Sequence, residues 1–263
     1  MTGDRHIPMI DGCRIACRIE GRDDAPVLML SNSLGTTMDM WAPQMAAWTQ
    51  RFRVLRYDSR GHGGSDSPPG GYAMDRLGRD VVELLDALGL DRVHFCGLSK
   101  GGMVGQWLAV HAPDRLDRLI LANTAAYMGP PSGWQGRIEG VLKDGMAPLA
   151  EASIARWFTP DFPASVPDAV APIRAMLLAN DPVGYAGCCA AIRDMDQRPT
   201  APLNRTPTLV IAGGEDPSTS VADAAFLADA ARDGELAVLP AAHLSNVECA
   251  QPFADAVAAF LLK

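Results

Sequence analysis

The chain has 263 residues, 48% of them apolar and 21% charged, which suits one sizeable core and excludes a disordered or membrane-embedded class. Its formal charge of −8 argues against a nucleic-acid partner, because phosphate binding draws on clustered Lys and Arg. A diffuse negative field leaves room for a small anionic substrate, since a local Arg outweighs it at short range.

The N-terminal stretch MTGDRHIPMIDG has no basic segment followed by an apolar one, so no leader is expected, and no apolar run reaches the roughly 18 residues of a membrane span. A cytoplasmic protein without a membrane partner follows. Strands are predicted over 14–20 and 27–31, a helix over 40–50 and a strand over 53–58. After the turn-rich RGHGGSDSPPGG, a helix over 72–88 carries Leu77, Val81, Leu84, Leu85 and Leu88 on one stripe. A strand at 93–97, a helix at 101–111 and a strand at 119–122 follow. From 127 to 198 the pattern is helical, with prolines and no clear strand. Alternation resumes with a strand at 207–212, a helix at 221–231, a strand at 235–239 and a closing helix at 253–262. Strand–helix alternation of this kind predicts a mainly parallel sheet covered on both faces. The interruption reads as a helical cap, residues 127–200, inserted between two halves of one core, residues 1–126 and 201–263. The six cysteines match neither a zinc knuckle nor a redox C-x-x-C, so free thiols in a reducing compartment are expected.

The strongest chemical signal is Gly97-Leu98-Ser99-Lys100-Gly101-Gly102, a G-x-S-x-G between a predicted strand and a predicted helix. That context turns a weak pattern into a nucleophile elbow. Small neighbours let strand and helix approach closely, and the helix N-terminus favours developing negative charge at Ser99. A serine needs a base, and His243 lies in PAAHLSNVE just after the last strand. The acid belongs between the two in chain order, at a strand end, where Gly213-Gly214-Glu215-Asp216-Pro217 offers two carboxylates. Asp216 is the first choice and Glu215 the second. Its task is to orient the imidazole, not to take the proton. Two backbone N–H groups complete an oxyanion hole: Lys100, next to the nucleophile, and Leu34 in the loop SNSLGT. No metal-ligand cluster and no dinucleotide-binding glycine pattern is present, so no cofactor is expected.

Together these features define an α/β-hydrolase pattern. The combination of SNSLGT followed by MW, RYDSRGHGGSD, CGLSKGGMVGQWL and AAHLSNVE closely resembles 3-oxoadipate enol-lactonase. The region of the cap resembles that family as well, through ANTAA, Trp134 with Arg137, RWFTPDF and GYAGCCAAIRDMD. Two features depart from it: Lys100 stands where Met or Leu is usual, and the acid loop reads GGEDPST. The resemblance implies hydrolysis of an anionic γ-lactone bearing a carboxymethyl arm, in the protocatechuate branch of aromatic breakdown, by a stand-alone enzyme. A general carboxylesterase or perhydrolase on the same scaffold and a non-catalytic binding protein are the alternatives, and the sequence leaves the oligomeric state open. An anionic substrate in an apolar pocket needs a cation. Trp134 and Arg137, three apart on a helix, are expected to share a face toward it, with Lys100 and Arg193 as competing cations.

Overall fold

Runs that are apolar on both faces settle in the middle of a helix-covered sheet, and three do so here. β3 (Val27–Ser31), β5 (Val93–Leu98) and β7 (Thr208–Gly213) are buried almost end to end. They join β1 (Arg5–Pro8), β2 (Arg14–Gly21), β4 (Arg53–Tyr57), β6 (Leu116–Ala122) and β8 (Gly234–Leu239) in one sheet of order β1-β2-β4-β3-β5-β6-β7-β8. The β1–β2 and β2–β4 pairs are antiparallel, and the remaining pairs are parallel. The computed structural model describes residues 4–263. Residues 1–3, the start of the stretch read for a leader, lie outside the described residues.

Helices α1 (Ala42–Trp48), α2 (Met74–Ala87) and α3 (Lys100–His111) precede β6, and α9 (Val221–Ala230), α10 (Ser245–Glu248) and α11 (Ala250–Leu261) follow β7. Between β6 and β7 lie α4 (Pro131–Asp144), α5 (Ala150–Trp157), α6 (Phe162–Ser165), α7 (Pro167–Leu178) and α8 (Pro182–Asp194), and no strand of the sheet falls there. No helix among the described residues is long and apolar enough to cross a membrane.

The apolar stripe of α2 buries Leu77, Val81, Leu84 and Leu85 as the periodicity predicts. The same face also buries Asp80, which accepts two hydrogen bonds from the Arg60 guanidinium, both at 2.6 Å. The helix expected over 40–50 splits into a 3-10 turn, Met38–Trp41, and α1, whose Pro43 sits in the first turn where its missing N–H costs nothing. Strand β1 is absent from the sequence reading: its four residues are mostly exposed, so no alternation marks them. Strand β6 begins at Leu116 rather than 119. The six cysteines are free thiols, five of them buried.

The helical segment between β6 and β7 packs against the loop after β4. A Cβ at Gly61 would lie 2.6 Å from the Gly184 Cα, so the loop after β4 and the first turn of α8 touch backbone to backbone. Gly61 also has φ +79°, a conformation that only glycine adopts without strain.

Candidate active site

Ser99 stands at the N-terminus of α3 with φ 56° and ψ −116°, a strained conformation for a residue with a Cβ. Its N–H donates to the Ala122 carbonyl at 2.9 Å, and its carbonyl accepts the Thr124 hydroxyl at 2.8 Å. The glycines around it have a steric reason. A Cβ at Gly97 would lie 2.1 Å from the Gly101 carbonyl oxygen, and one at Gly101 would lie 2.1 Å from that of Ser31. The turn closes only with both positions bare.

His243 follows β8 and is 4% exposed. Its Nδ1 donates to Asp216 Oδ2 at 2.8 Å. The same oxygen accepts from the Thr219 hydroxyl at 2.7 Å and Asn123 Nδ2 at 3.1 Å, while Oδ1 accepts the Ser218 N–H at 2.7 Å. Burial pushes the Asp216 carboxyl up, but His243 and these donors outweigh it and hold the group below its usual range. Glu215, the second choice, is exposed. The histidine loop is fastened at several points. Asn123 Nδ2 also donates to the Ala242 carbonyl at 3.1 Å, and the Ala242 N–H reaches Glu248 Oε2 at 2.8 Å. Glu248 Oε1 takes the Thr159 N–H at 3.1 Å and its hydroxyl, and the Leu244 N–H donates to the Trp157 carbonyl at 2.9 Å. The histidine loop is thereby tied to the end of α5 and to the segment that follows it.

The loop after β3 is anchored by Asn32. Its side chain donates to the Tyr57 carbonyl at 2.8 Å and accepts from Trp41 Nε1 at 2.9 Å, and its carbonyl accepts the Gly101 N–H at 3.1 Å. This locks the loop to the elbow. Among the described residues, neither the Leu34 nor the Lys100 N–H donates to a backbone carbonyl.

Ser99, His243 and Leu34 line one cavity of about 200 Å³ with Trp134 and Arg137 of α4 and Arg156 and Trp157 of α5. Arg137 lies over the Trp134 ring at 4.7 Å, and Trp134 Nε1 donates to the Met128 carbonyl at 2.6 Å. Among the described residues, no carboxylate lines this cavity. Arg156, unassigned in the sequence, is the second cation: burial and the neighbouring Arg137 both push its guanidinium down. The string RWFTPDF contains it, and a lone Arg beside an aromatic gives no pattern from which its direction is legible. The competing cations lie elsewhere. Lys100 is fully buried away from the cavity, its Nζ donating to the Ser59 hydroxyl at 2.6 Å. Arg193 is engaged by Gln135 at 2.6 Å and by Asp194 at 2.7 Å.

Residues 26–249 match the α/β-hydrolase fold family, and the chain belongs to it. Within that family it is similar to 3-oxoadipate enol-lactonase 2 of Acinetobacter baylyi, with 45% identity over 92% of this chain and 90% of that protein. 3-Oxoadipate enol-lactonase 1 of the same organism is 37% identical over 95% of this chain and 94% of its own length. The crystal structure of the enol-lactonase from Burkholderia xenovorans LB400 superposes with a TM-score of 0.96 at 42% identity, covering 98% of this chain and all of that one.

Proposed function

We propose that the protein hydrolyses 3-oxoadipate enol-lactone to 3-oxoadipate through a covalent acyl-enzyme on Ser99. The carrying observation is the cavity that joins Ser99 and His243 to two guanidinium groups with, among the described residues, no carboxylate in its lining. The similarity to named enol-lactonases supports the same substrate. The free thiols suit a reducing cytoplasm.

In this reading Ser99 Oγ attacks the lactone carbonyl carbon while His243 takes its proton through Nε2, the nitrogen opposite the Asp216 bond. Asp216 fixes that tautomer and stabilises the imidazolium. The Leu34 and Lys100 N–H groups donate hydrogen bonds to the developing oxyanion, each worth about 2.7–4 kcal/mol in comparable sites. The ring C–O bond breaks, and His243 returns the proton to the enol oxygen. Because the leaving oxygen stays tethered to the acyl chain, the carboxymethyl arm remains in the cavity. Water, deprotonated by His243, then attacks the acyl carbon; the acyl C–Oγ bond breaks, His243 returns the proton to Ser99 Oγ, and the enol relaxes to the ketone. Arg137, with Arg156 beside it, pairs the substrate carboxylate, and the Trp134 ring packs the lactone side of the pocket.

The test compares steady-state rates on the enol-lactone with those on a neutral aryl ester of similar size. A kcat/KM at least about tenfold higher for the anionic lactone, a difference of about 1.4 kcal/mol, supports the lactonase. A preference for the neutral ester makes the protein a general carboxylesterase.

A further inference from the structure

The loop after β4 carries a histidine that this chemistry does not use. His62 is 2% exposed, and its Nε2 accepts the Gly35 N–H at 2.9 Å. A ring nitrogen that accepts carries no proton, so the imidazole is the neutral Nδ1–H tautomer. Nδ1 faces the Arg60 carbonyl at 3.4 Å and Cys188 Sγ at 3.9 Å. Burial, reinforced by the Lys100 ammonium, pushes His62 down to about 3 against the pull of the Arg60 carbonyl. The lone pair is therefore available to Gly35 throughout the neutral range.

Gly35 directly follows Leu34, and both of its polar groups are held. His62 takes its N–H from the core side, and Asn180 Nδ2 donates to its carbonyl at 2.9 Å from the cap side. Its φ of +82° suits glycine, and a Cβ there would press on Leu177 at 2.8 Å. On the other flank of Leu34, the Ser33 carbonyl accepts the Thr36 N–H at 3.3 Å and the Thr36 hydroxyl at 3.0 Å. The peptide planes before and after Leu34 are thus fixed separately: the Leu34 N–H lies in the first, and the second bears on it by holding the Leu34 Cα between them.

We propose that His62 is a positioning residue for hydrolysis: its Nε2 lone pair holds the Leu34–Gly35 peptide so that the Leu34 N–H meets the oxyanion. The proposal rests on Ser99 being the nucleophile and Leu34 an oxyanion donor. It separates the histidine of RGHGGSD from a merely structural loop contact, because a misaimed oxyanion donor weakens the transition state and leaves ground-state binding alone.

The experiment uses His62→Asn, whose carbonyl falls at the Nδ1 place and misses Gly35, and His62→Gln, whose carbonyl reaches the Nε2 place. His62→Leu is a second loss variant should the Asn protein fold poorly. Three quantities are read: kcat and KM on the enol-lactone, inhibition by the product 3-oxoadipate, and inhibition by an alkylboronic acid, which bonds to Ser99 Oγ as a tetrahedral adduct. The loss variants are expected to lower kcat about 10- to 100-fold and weaken the boronic acid in parallel, with KM and product inhibition within about twofold. His62→Gln is expected to recover most of both losses. Unchanged boronic-acid inhibition in the loss variants, or equal weakening of product and boronic acid, overturns the proposal. So does a His62→Gln protein no better than His62→Asn. A Ser99→Ala arm keeps the two readings apart: turnover there refutes the nucleophile assignment itself, whatever His62 does.

Discussion

Replacing His62 by Gln changes how stability depends on pH, and the size follows from its surroundings. The imidazole sits at about 3 in the folded protein against an ordinary 6.5, with burial the largest cause and Lys100 the second. A depressed histidine means that below pH 6.5 the unfolded chain binds a proton that the folded chain refuses. Stability is then lost as pH falls from 6.5 toward 3, and nothing is lost above 6.5. The slope rises from half its limit at pH 6.5 toward about 1.4 kcal/mol per pH unit, so the step from pH 6.5 to 5 integrates to somewhat under 2 kcal/mol. Asp216, held below its ordinary 3.8, adds loss in the same direction only at more acid pH, as the solution falls through its folded value. The Gln variant lacks the histidine proton and keeps everything else. Urea unfolding followed by circular dichroism at pH 7.5, 6.5, 5.5 and 5 gives both curves. The wild-type advantage over His62→Gln should shrink by that same amount between pH 6.5 and 5. Parallel curves across that range would refute a neutral, buried His62.

Arg137→Ala is expected to cost about 1.5–3 kcal/mol in kcat/KM on the anionic lactone, roughly 10- to 150-fold, and little on a neutral aryl ester. Equal losses on both substrates would make it a packing residue, and the same comparison on Arg156→Ala ranks the two cations. Asp216→Asn should lower kcat far more than Glu215→Gln, since only Asp216 meets His243; steady-state kinetics showing the reverse order would reassign the acid. Glu248→Ala strands the Ala242 and Thr159 N–H groups and should lower stability by about 1–3 kcal/mol in chemical denaturation. Gly61→Ala forces a Cβ against Gly184 backbone and should destabilise by about 1–3 kcal/mol, read as a fall in Tm.

Much of this site is legible in the chain because its chemistry demands special local geometry. The elbow needs bare positions at 97 and 101, and two glycines flanking a serine between strand and helix announce that need. Strand ends point to His243 and narrow the acid to Glu215 or Asp216, because the order of elements fixes which loops meet; only the bond from His243 to Asp216 separates the two carboxylates. What stays hidden depends on three-dimensional partners. Arg156 carries no pattern of its own, and only the seating of α5 turns it into the cavity. Lys100 looks from sequence like a cation beside the nucleophile, but helix geometry carries its side chain to Ser59 under the elbow. His62 is conspicuous in RGHGGSD, and its bond to Gly35 joins two loops 27 residues apart, a pairing no periodicity reports. Strand β1 is invisible for a different reason: only Ile7 of its four residues turns inward, too little to make a hydrophobic alternation.

The central claim is tested most directly by turnover of the enol-lactone by wild-type and Ser99→Ala protein in a single assay, with unfolding curves confirming that both are folded. The account predicts rapid lactone opening by the wild type and a loss of about 10⁴-fold or more in the variant, as expected when one member of a unit that acts together is removed. A Ser99→Ala protein that opens the lactone within about tenfold of the wild-type rate, about 1.4 kcal/mol in activation free energy, would contradict it.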